Sequence, residues 1–500
     1  MRGPVWMGAC AAVVGAAATL VAAGQAAPDP LLLLDRASAA FARGDYRDAM
    51  QAFASASEAG DATQRLRAVQ GHLRSALRLA EFDAARRDAD ALAAGGPLDA
   101  ETTVLVGDAW WASGLFDEAE ARYREALAAD PEMARARLGV ARAEASEGRL
   151  DLALDEVRRG LALAPDDADL HAVHAGILER VRRYAEAARA YEAYAALLPV
   201  PDSTAAGTAL ARARLLRSFG GRQPLATSDR DAARMHTLPF KLVRNKVVVR
   251  GRVNGTPVDF VLDTGAERTS ISPDLARRAD VRVVASTLTS GVGPSAWLRV
   301  GLAAVDDLEI GALRIRNVPV AVRQPSAGGA PRWQGESLSP LALGLSVEVD
   351  YGRRRVTFAR ALPEDAAAPI RLPMRFHRLP LVRGRVNDRH AAMFVVDTGG
   401  ELLSLSAETA GELPVPTGRR VRLRVFGLSG LDEDAFVMPG VDIDFGAVGY
   451  RKMGLAVLNL RAPSMLLGFR LGGIVGYRLL GGYRVAIDVD RSEVRLSPRG

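Results

Sequence analysis

The stretch "FVLDTGAERTSIS" at residues 260–272 returns in altered form as "MFVVDTGGELLSLS" at residues 393–406. Each copy is an apolar run, then Asp-Thr-Gly, then a segment with serines near alternate positions. An apolar run of this length predicts a strand that leads into the motif. What the two motifs do together depends on whether the surrounding sequence is repeated as well.

Four further landmarks repeat in the same order. "VRGRVN" occurs at residues 249–254 and 382–387, and "GVGPSAW" from Gly291 corresponds to "GLSGLDE" from Gly427. "LEIGA" and "VEVDYGRRRVTF", from residues 308 and 347, correspond to "IDFGA" and "VAIDVDRSEVRL", from residues 443 and 485. The turn at Asn254-Gly255 between alternating segments is typical of a β-hairpin. The pattern predicts an all-β part with two duplicated lobes, at residues 237–362 and 368–498, related by a pseudo-twofold axis.

Two aspartates presented by related lobes can meet across such an axis. Carboxylates held a few ångströms apart cannot both ionise and therefore share a proton. One can then activate a water as general base while the other acts as general acid towards a carbonyl oxygen. Glycine lets the backbone approach a carboxylate closely, and threonine hydroxyls can tie one lobe to the other. The candidate residues are Asp263 and Asp397, with support from Thr264, Gly265, Thr398 and Gly399.

The motif "DTGA" at residues 263–266, together with "VDFVLDTGAERTSIS" and "GIVGYRLLGGYRVAIDVD", resembles the retropepsin-like aspartic proteases of bacteria. The resemblance covers residues 236–498. It implies that Asp263 and Asp397 form the catalytic dyad and that neither metal nor cofactor is needed. It also implies peptide or protein substrates. Because both half-sites lie on one chain, activity as a monomer is expected. Flaps over the peptide cleft are implied near residues 291–295 and 427–430, with the candidate residues Gly291, Gly293, Gly427 and Gly430.

One departure from the family pattern, and one difference from pepsin-like enzymes, which usually have a serine or threonine after each motif, affect the expected chemistry. The family has two apolar residues and a glycine behind the aspartate loop; lobe 2 has Ile474-Val475-Gly476, whereas lobe 1 has Ser337-Leu338-Ser339. Lobe 1 is therefore either looser or has lost catalytic geometry, and a catalytically silent peptide-binding scaffold remains the alternative. The residues after the two motifs, Ala266 and Gly400, cannot donate a hydrogen bond to a carboxylate. The lack of a donor at these two positions predicts raised pKa values for the two aspartates. Activity is therefore expected in mildly acidic or neutral solution.

Residues 31–219 follow a different, helical pattern. An aromatic residue or leucine recurs at intervals of roughly 34 residues, which is the period of the tetratricopeptide repeat. "GLFDEAEARYREALAADP" and "RYAEAARAYEAYAALLP" resemble the second helix of that repeat. Five repeats and a capping helix from residue 204 to 219 are predicted. Such a solenoid commonly offers a concave surface to a protein partner.

The remaining segments indicate compartment and organisation. Residues 1–27 have a short positive start, an apolar stretch and small residues, which are typical of a secretory signal; an uncleaved membrane anchor is the alternative. The single cysteine, Cys10, lies within this segment, so the exported chain has no disulfide. A bacterial periplasmic or secreted protein is expected.

Residues 201–500 are basic but have no cationic cluster interleaved with aromatic residues, which argues against nucleic-acid binding. Residues 220–236 are predicted to be a linker, and a fragment starting near residue 230 is expected to fold alone.

Overall fold

The computed structural model describes residues 29–200, 203–293, 297–323, 336–365, 368–414 and 420–499. The predicted signal at residues 1–27, with Cys10, lies outside them. Helices fill the amino-terminal part of the described chain, and none of those described is long and apolar enough to cross a bilayer. They are α1 (Pro30–Ala42), α2 (Tyr46–Ala59), α3 (Ala62–Arg78), α4 (Phe82–Ala94), α5 (Ala100–Ala112), α6 (Phe116–Ala129), α7 (Ala134–Ser146), α8 (Leu150–Leu163), α9 (Ala168–Arg180), α10 (Tyr184–Leu197) and α11 (Thr204–Ser218).

The helices form five consecutive pairs that follow the sequence repeat. The second helix of each pair begins at the recurring aromatic or leucine residue: Tyr46, Phe82, Phe116, Leu150 or Tyr184. Three positions later a small residue lies where two helices approach and is completely buried: Ala49, Ala85, Ala119, Ala153 or Ala187. The predicted capping helix is present as α11. The predicted helical solenoid is therefore confirmed.

The solenoid curves towards the face formed by the first helix of each pair. Arg78 of α3 donates two hydrogen bonds of 2.9 Å to Asp169 of α9, although two repeats separate these helices along the chain. Arg135 of α7 donates to the same carboxylate at 2.6 Å. A Cβ atom on Gly44 would lie 2.8 Å from the side chain of Val200, so the first repeat touches the end of the fifth.

Strands make up most of the chain from residue 236 onwards, in two lobes. Lobe 1 contains β1 (His236–Pro239), β2 (Lys241–Val243), β3 (Lys246–Val253), β4 (Thr256–Leu262), β5 (Ser270–Ile271), β6 (Val283–Thr289), β7 (Leu298–Ile310), β8 (Leu313–Arg323), β9 (Glu336–Leu338), β10 (Ser346–Asp350) and β11 (Arg355–Ala359). Its short helices are α12 (Asp229–Ala232), just before β1, α13 (Pro273–Arg278) and a 3-10 turn (Leu341–Leu343).

Lobe 2 repeats this arrangement. Its strands are β12 (Ile370–His377), β13 (Leu379–Val386), β14 (His390–Val396), β15 (Leu403–Ser406), β16 (Val421–Arg422), β17 (Val425–Gly427), β18 (Gly430–Asp432), β19 (Phe436–Phe445), β20 (Val448–Leu458), β21 (Gly473–Val475), β22 (Tyr483–Asp488) and β23 (Glu493–Pro498). Its short helices are α14 (Ala407–Gly411), α15 (Arg461–Leu467) and α16 (Tyr477–Leu480). The fold class predicted from the sequence, a helical solenoid followed by an all-β bilobal part, is thus confirmed.

The central sheet contains strands from both lobes. Strand β10 pairs antiparallel with β22, so that Val347 lies opposite Ile487 and Val349 lies opposite Val485. These strands carry the "VEVDYG" and "VAIDVD" landmarks, so the two copies of one repeated sequence pair with each other. Around this pair the strand order is β1-β11-β10-β22-β23-β12. The lobes are therefore joined by backbone hydrogen bonds as well as by packing.

The segment at residues 220–236, predicted as a linker, lies against lobe 1. Leu225 is buried in the core of the β-rich part. The backbone of Ala226 exchanges two hydrogen bonds with Arg316 of β8, at 3.0 and 2.8 Å. Helix α12 follows, and β1 begins at His236. This segment is thus ordered by lobe 1.

The solenoid and lobe 2 share a hydrophobic core. Trp111 and Phe116, at the α5–α6 turn, are buried together with Leu381 and Phe469 of lobe 2. The rings of Phe116 and Phe469 meet edge to face with their centroids 5.0 Å apart. Each half also has a core of its own, and this further cluster is completed only when the two halves meet.

The capping helix makes a second junction, on lobe 1. Leu215 and Phe219 at the end of α11 are buried against Ala285 of β6 and Leu302 of β7. The hydroxyl groups of Thr208 and Thr287 lie 3.3 Å apart along the same contact. Strands β6 and β7 form one hairpin, so the solenoid supports the base of this hairpin.

Candidate active site

The two Asp-Thr-Gly motifs follow equivalent strands. Strand β4 ends at Leu262 and β14 ends at Val396, and each is flanked by a short parallel strand, β9 or β21. The Asp263 amide donates to the carbonyl of Leu338 at 2.9 Å. The Asp397 amide donates to Val475 in the same way at 3.0 Å. The backbone that positions the two aspartates is therefore the same in both lobes.

The two aspartates face each other across the lobe boundary. A Cβ atom on Gly265 would lie 2.5 Å from Cγ of Asp397, and one on Gly399 would lie 2.8 Å from Cγ of Asp263. Any larger residue at either glycine would collide with the carboxyl group of the other lobe. The amide of Gly399 also donates to Oδ1 of Asp397 at 2.8 Å. The structure thus brings together Asp263, Gly265, Asp397 and Gly399, as the sequence predicts.

The two threonines tie the lobes together beneath the aspartates. The Thr264 hydroxyl donates to the carbonyl of Val396 at 2.7 Å, and the Thr398 hydroxyl donates to that of Leu262 at 2.9 Å. Each hydroxyl also accepts from the other threonine's backbone amide, at 3.2 and 3.0 Å. Both residues are completely buried. Four hydrogen bonds in a dry environment therefore fix the separation of the two motif loops.

The electrostatics of the pair favour one shared proton. Burial raises the pKa of Asp263, and the neighbouring Asp397 raises it further, to about 7. The Ser337 hydroxyl and the Lys246 ammonium group oppose this rise. Nζ of Lys246 is held nearby because it donates to the carbonyl of Gly399 at 2.6 Å. One carboxyl group of the pair is thus protonated in mildly acidic solution.

Ser337 is a site residue that the sequence did not identify. Its Oγ donates to Oδ2 of Asp263 at 2.9 Å. In the strand pairing Ser337 lies opposite Val261, just as Ile474 lies opposite Val395. Lobe 1 therefore has a hydroxyl donor where lobe 2 has an apolar side chain. The pKa of Asp263 is raised, in the direction expected from Ala266 and Gly400, but burial and the second aspartate are the main causes.

Ser339 occupies the place of Gly476. A Cβ atom on Gly476 would lie 2.7 Å from the carbonyl oxygen of Gly400, which is too close for an ordinary contact. In lobe 1 the Ser339 hydroxyl instead donates to the carbonyl of Ala266 at 2.6 Å, and its amide donates to Oγ1 of Thr269 at 3.1 Å. The motif loop of lobe 1 is thus tied to β9 by hydrogen bonds. The departure seen in the sequence is accommodated without loss of the loop geometry.

The two predicted flap segments contact each other. Gly291 and Gly293 lie at the tip of the β6–β7 hairpin, and Gly427 and Gly430 close the β17–β18 hairpin. The Gly291 amide donates to Oγ of Ser429 at 3.1 Å, and the Ser429 amide donates to the carbonyl of Val292 at 2.9 Å. Gly293 has a φ of +134°, a conformation that requires glycine. Ser295, part of the first predicted flap, lies outside the described residues.

No cluster of metal ligands accompanies the aspartates in the part of the chain that the structure describes. No group of three or more histidine, cysteine, aspartate or glutamate side chains suited to a metal ion occurs among the described residues. What the site contains is a pair of carboxyl groups, one bound hydroxyl and backbone amides. Such groups can move protons to and from a water molecule.

Family models match a segment of the helical part and a segment of the β-rich part. Residues 249–347 match the family model described as aspartyl protease. Residues 71–120 and 111–177 match two models described as tetratricopeptide repeat. No curated protein matches the chain.

Several solved structures also match. They include a thermophilic tetratricopeptide-repeat protein of Thermus thermophilus, with 20% identity, 37% of this chain and 98% of that chain covered, and a TM-score of 0.32. The MamA protein matches with 14% identity, 34% and 91% coverage and a TM-score of 0.25. The family models thus find tetratricopeptide repeats within residues 71–177 and an aspartyl protease domain within residues 249–347.

Proposed function

We propose that this protein is an exported aspartic endopeptidase of the retropepsin-like type, active as a single chain on peptide or protein substrates. The observation that carries the proposal is the approach of the two Asp-Thr-Gly loops. Each motif glycine lies against the other lobe's aspartate, and the threonine hydrogen bonds fix that approach. A pair of carboxyl groups held this way is suited to general acid–base hydrolysis of an amide.

In the proposed reaction one water attacks the scissile carbonyl between the two carboxyl groups. Asp397, as the carboxylate, takes a proton from the water, while protonated Asp263 donates its proton to the carbonyl oxygen. A tetrahedral diol forms without a covalent bond to the protein. Its collapse breaks the C–N bond: Asp397 gives its proton to the leaving nitrogen, and one diol hydroxyl returns a proton to Asp263 as the new carboxyl group forms, which restores the starting dyad. The raised pKa of Asp263 supports its role as the initial acid.

The solenoid is proposed to bind a protein partner in addition to its contact with the lobes. Its first-helix face is the concave one, and there a partner would meet charged residues such as Arg78, Arg135 and Asp169. Export to a bacterial periplasm, with cleavage of the amino-terminal segment, is part of the same proposal. It rests on the sequence of residues 1–27 alone.

The second candidate is a catalytically silent peptide-binding scaffold, favoured by Ser337 and Ser339 of lobe 1 in place of the apolar-apolar-glycine form. The two hypotheses are separated by incubating the purified protein with a diverse peptide mixture and identifying products by mass spectrometry. The proposed peptidase is expected to produce new peptide ends in mildly acidic to neutral solution. Peptides that bind but remain intact over the whole range would instead support the scaffold.

The alanine variant at Ser337 is expected to shift the pH dependence of activity. The active dyad holds one proton, so kcat falls as the pH rises through the raised pKa of about 7. Without the Ser337 hydrogen bond the ionised form of Asp263 is less favoured, and the alkaline limb should move up by about one pH unit. The measurement is kcat against pH for wild type and Ser337→Ala. Ser339→Ala is the matched control, because the Ser339 hydroxyl donates to a backbone carbonyl and not to an aspartate. The alkaline limb of this variant should therefore stay where it is in the wild type. An unshifted limb in Ser337→Ala would contradict the assignment.

A further inference from the structure

A cavity of about 590 Å³ lies on lobe 1. It lies between the segment that contains α12 and β1 and the turn at Gly311-Ala312, which joins β7 to β8. None of its lining residues belongs to the motif loops or to the flaps. Its volume is in the range of ligand-binding pockets in proteins. The cavity is therefore a candidate binding site separate from the two aspartates.

The cavity follows the free edge of β1. This strand pairs with β11, and no other described strand pairs with it. His236, Thr237 and Leu238 all line the cavity. Successive side chains of a strand point to opposite faces of the sheet, so a cavity that touches three consecutive residues lies along an edge of the strand. Because β11 occupies the other edge, the unpaired backbone groups of β1 lie next to the cavity.

Two arginines give the cavity an excess of positive charge. Arg230 and Arg234 line it, and both are exposed. Neither has an ion pair or a side-chain hydrogen bond within the described part of the chain. The carboxylate of Asp231, the only acidic group among the lining residues, already accepts from the Ser228 hydroxyl at 2.9 Å. Two arginines against one aspartate leave one positive charge, and both guanidinium groups are available to an anion.

A buried histidine adds a hydrogen-bond acceptor. His236 is only 8% exposed, and its Nε2 lies 2.9 Å from the carbonyl oxygen of Asp231. A carbonyl oxygen can only accept, so Nε2 carries the proton and Nδ1 of the neutral ring has a lone pair. Nδ1 has no hydrogen-bond partner among the residues that the structure describes. The lone pair can therefore accept an N–H group of a bound chain.

We propose that the free edge of β1 binds an extended acidic segment of a partner polypeptide as an additional strand, with its carboxylates at Arg230 and Arg234. Strand addition satisfies the backbone groups of an edge, and pockets for the side chains provide selectivity. Guanidinium groups bind carboxylates through paired hydrogen bonds. Pro239 has no backbone N–H, so the added strand covers about four residues, or about 13 Å. This inference does not depend on the proposed peptidase function.

The test measures the binding of fluorescent octapeptides to the full chain by anisotropy. One peptide alternates valine with glutamate, and a second alternates valine with glutamine. A third is the glutamate peptide with N-methyl groups on two adjacent central residues, which blocks pairing along both of its edges. The glutamate peptide is expected to bind about fivefold more tightly than the glutamine peptide. It should bind about tenfold more tightly than the N-methylated peptide. Hydrogen–deuterium exchange should show slower exchange of the β1 amides when it is bound.

Arginine variants test the charge contacts. Arg230→Gln and Arg234→Gln should each reduce the preference for the glutamate peptide, and the double variant should bind the glutamate and glutamine peptides equally. Arg282→Gln is the matched control, because Arg282 is an exposed arginine of lobe 1 with a loose ion pair to Asp280 at 3.6 Å. This control should keep the full preference.

Four results would overturn the inference. They are equal binding of the glutamate and glutamine peptides by the wild type, undiminished binding of the N-methylated peptide, no binding of any peptide, and exchange protection only outside β1. Release of the peptide by succinate at constant ionic strength, without protection of β1, would indicate a site for small anions instead. A dimer of the peptide-free protein in which β1 is protected would identify a second copy of the chain as the occupant. Both of these outcomes would also contradict the proposal.

Discussion

Asparagine in place of Asp263 or Asp397 is expected to lower kcat by about three orders of magnitude. The change keeps the shape of the side chain but removes the ionisable group, and general acid–base catalysis typically contributes a factor of this size. Because the two carboxyl groups act as one unit, each single variant should lose nearly as much as the double variant. The measurement is kcat on a peptide that the wild type cleaves.

A matched control lies on β4, the strand that leads to Asp263. Asp259 is four residues before Asp263 on β4, and its side chain is exposed with a loose ion pair to Arg250 at 3.5 Å. Asp259→Asn should therefore retain full activity. Activity within tenfold of wild type in either Asp263→Asn or Asp397→Asn would show that the carboxyl groups do not work as a pair.

The Asp263 variant also has a stability readout that is independent of turnover. The folded pKa of this carboxyl group is raised from its usual value near 4 to about 7. The folded wild type therefore binds an extra proton between these values, and its stability falls as the pH rises from about 4 to above 7. Asp263→Asn has no carboxyl group at this position, so its stability does not fall with pH for this reason. Its melting temperature, relative to wild type, should rise with pH across this window and then level off.

The features that could be predicted from the sequence are those repeated at a fixed period or register. The starts of the second helices recur every roughly 34 residues, and the two Asp-Thr-Gly motifs follow matched strands. Burial of one alanine per repeat and the meeting of the motif loops follow from these local patterns. The duplication adds a further constraint: in a pseudo-twofold pair each lobe contacts the other through the same surface, so the two motif loops face each other.

The contacts that were missed join residues without a shared pattern. Ser337 reaches Asp263 from 74 positions away, and its position was recognised only as a departure from the apolar-apolar-glycine form. Trp111 and Phe116 have the spacing of ordinary repeat residues, so nothing in the repeat itself indicates that lobe 2 covers them. Register and periodicity predict which face of an element is buried, but they do not identify what buries it.

The charges at this contact show why the two halves fit. Arg375 and Arg470 of lobe 2 are almost fully buried. Arg375 donates to Asp117 at 2.6 Å and to Glu120 at 3.0 Å, and Arg470 donates to Asp83 at 2.8 Å. All three acidic residues lie near the start of a second helix of a repeat. The acidic solenoid and the basic lobe 2 are therefore complementary at this surface.

A fragment that begins at residue 230 keeps most of its own core but is expected to aggregate and to be less stable than the full chain. Without the solenoid, Phe469 and its apolar neighbours would be exposed, Arg375 would lose its acidic partners, and Arg470 would lose Asp83. An exposed apolar patch of this kind favours aggregation. Refolding yield and circular dichroism of the fragment give the result, and addition of the separate solenoid, residues 29–219, should restore the fold.

The contribution of the shared core can also be tested while both halves of the chain are present. A protease site inserted at Gly220-Gly221, where added side chains would meet nothing within 4 Å, should give two pieces that elute together in size-exclusion chromatography. Phe469→Ala should cost about 3–5 kcal/mol of unfolding free energy, as for other buried aromatic residues, whereas Phe426→Ala on the exposed flap should cost little. A fragment from residue 230 that is monomeric and melts at the temperature of the full chain would show that the shared core contributes nothing. If the expected results are obtained, the repeats stabilise the β-rich half by completing the shared core, and partner binding is an additional role.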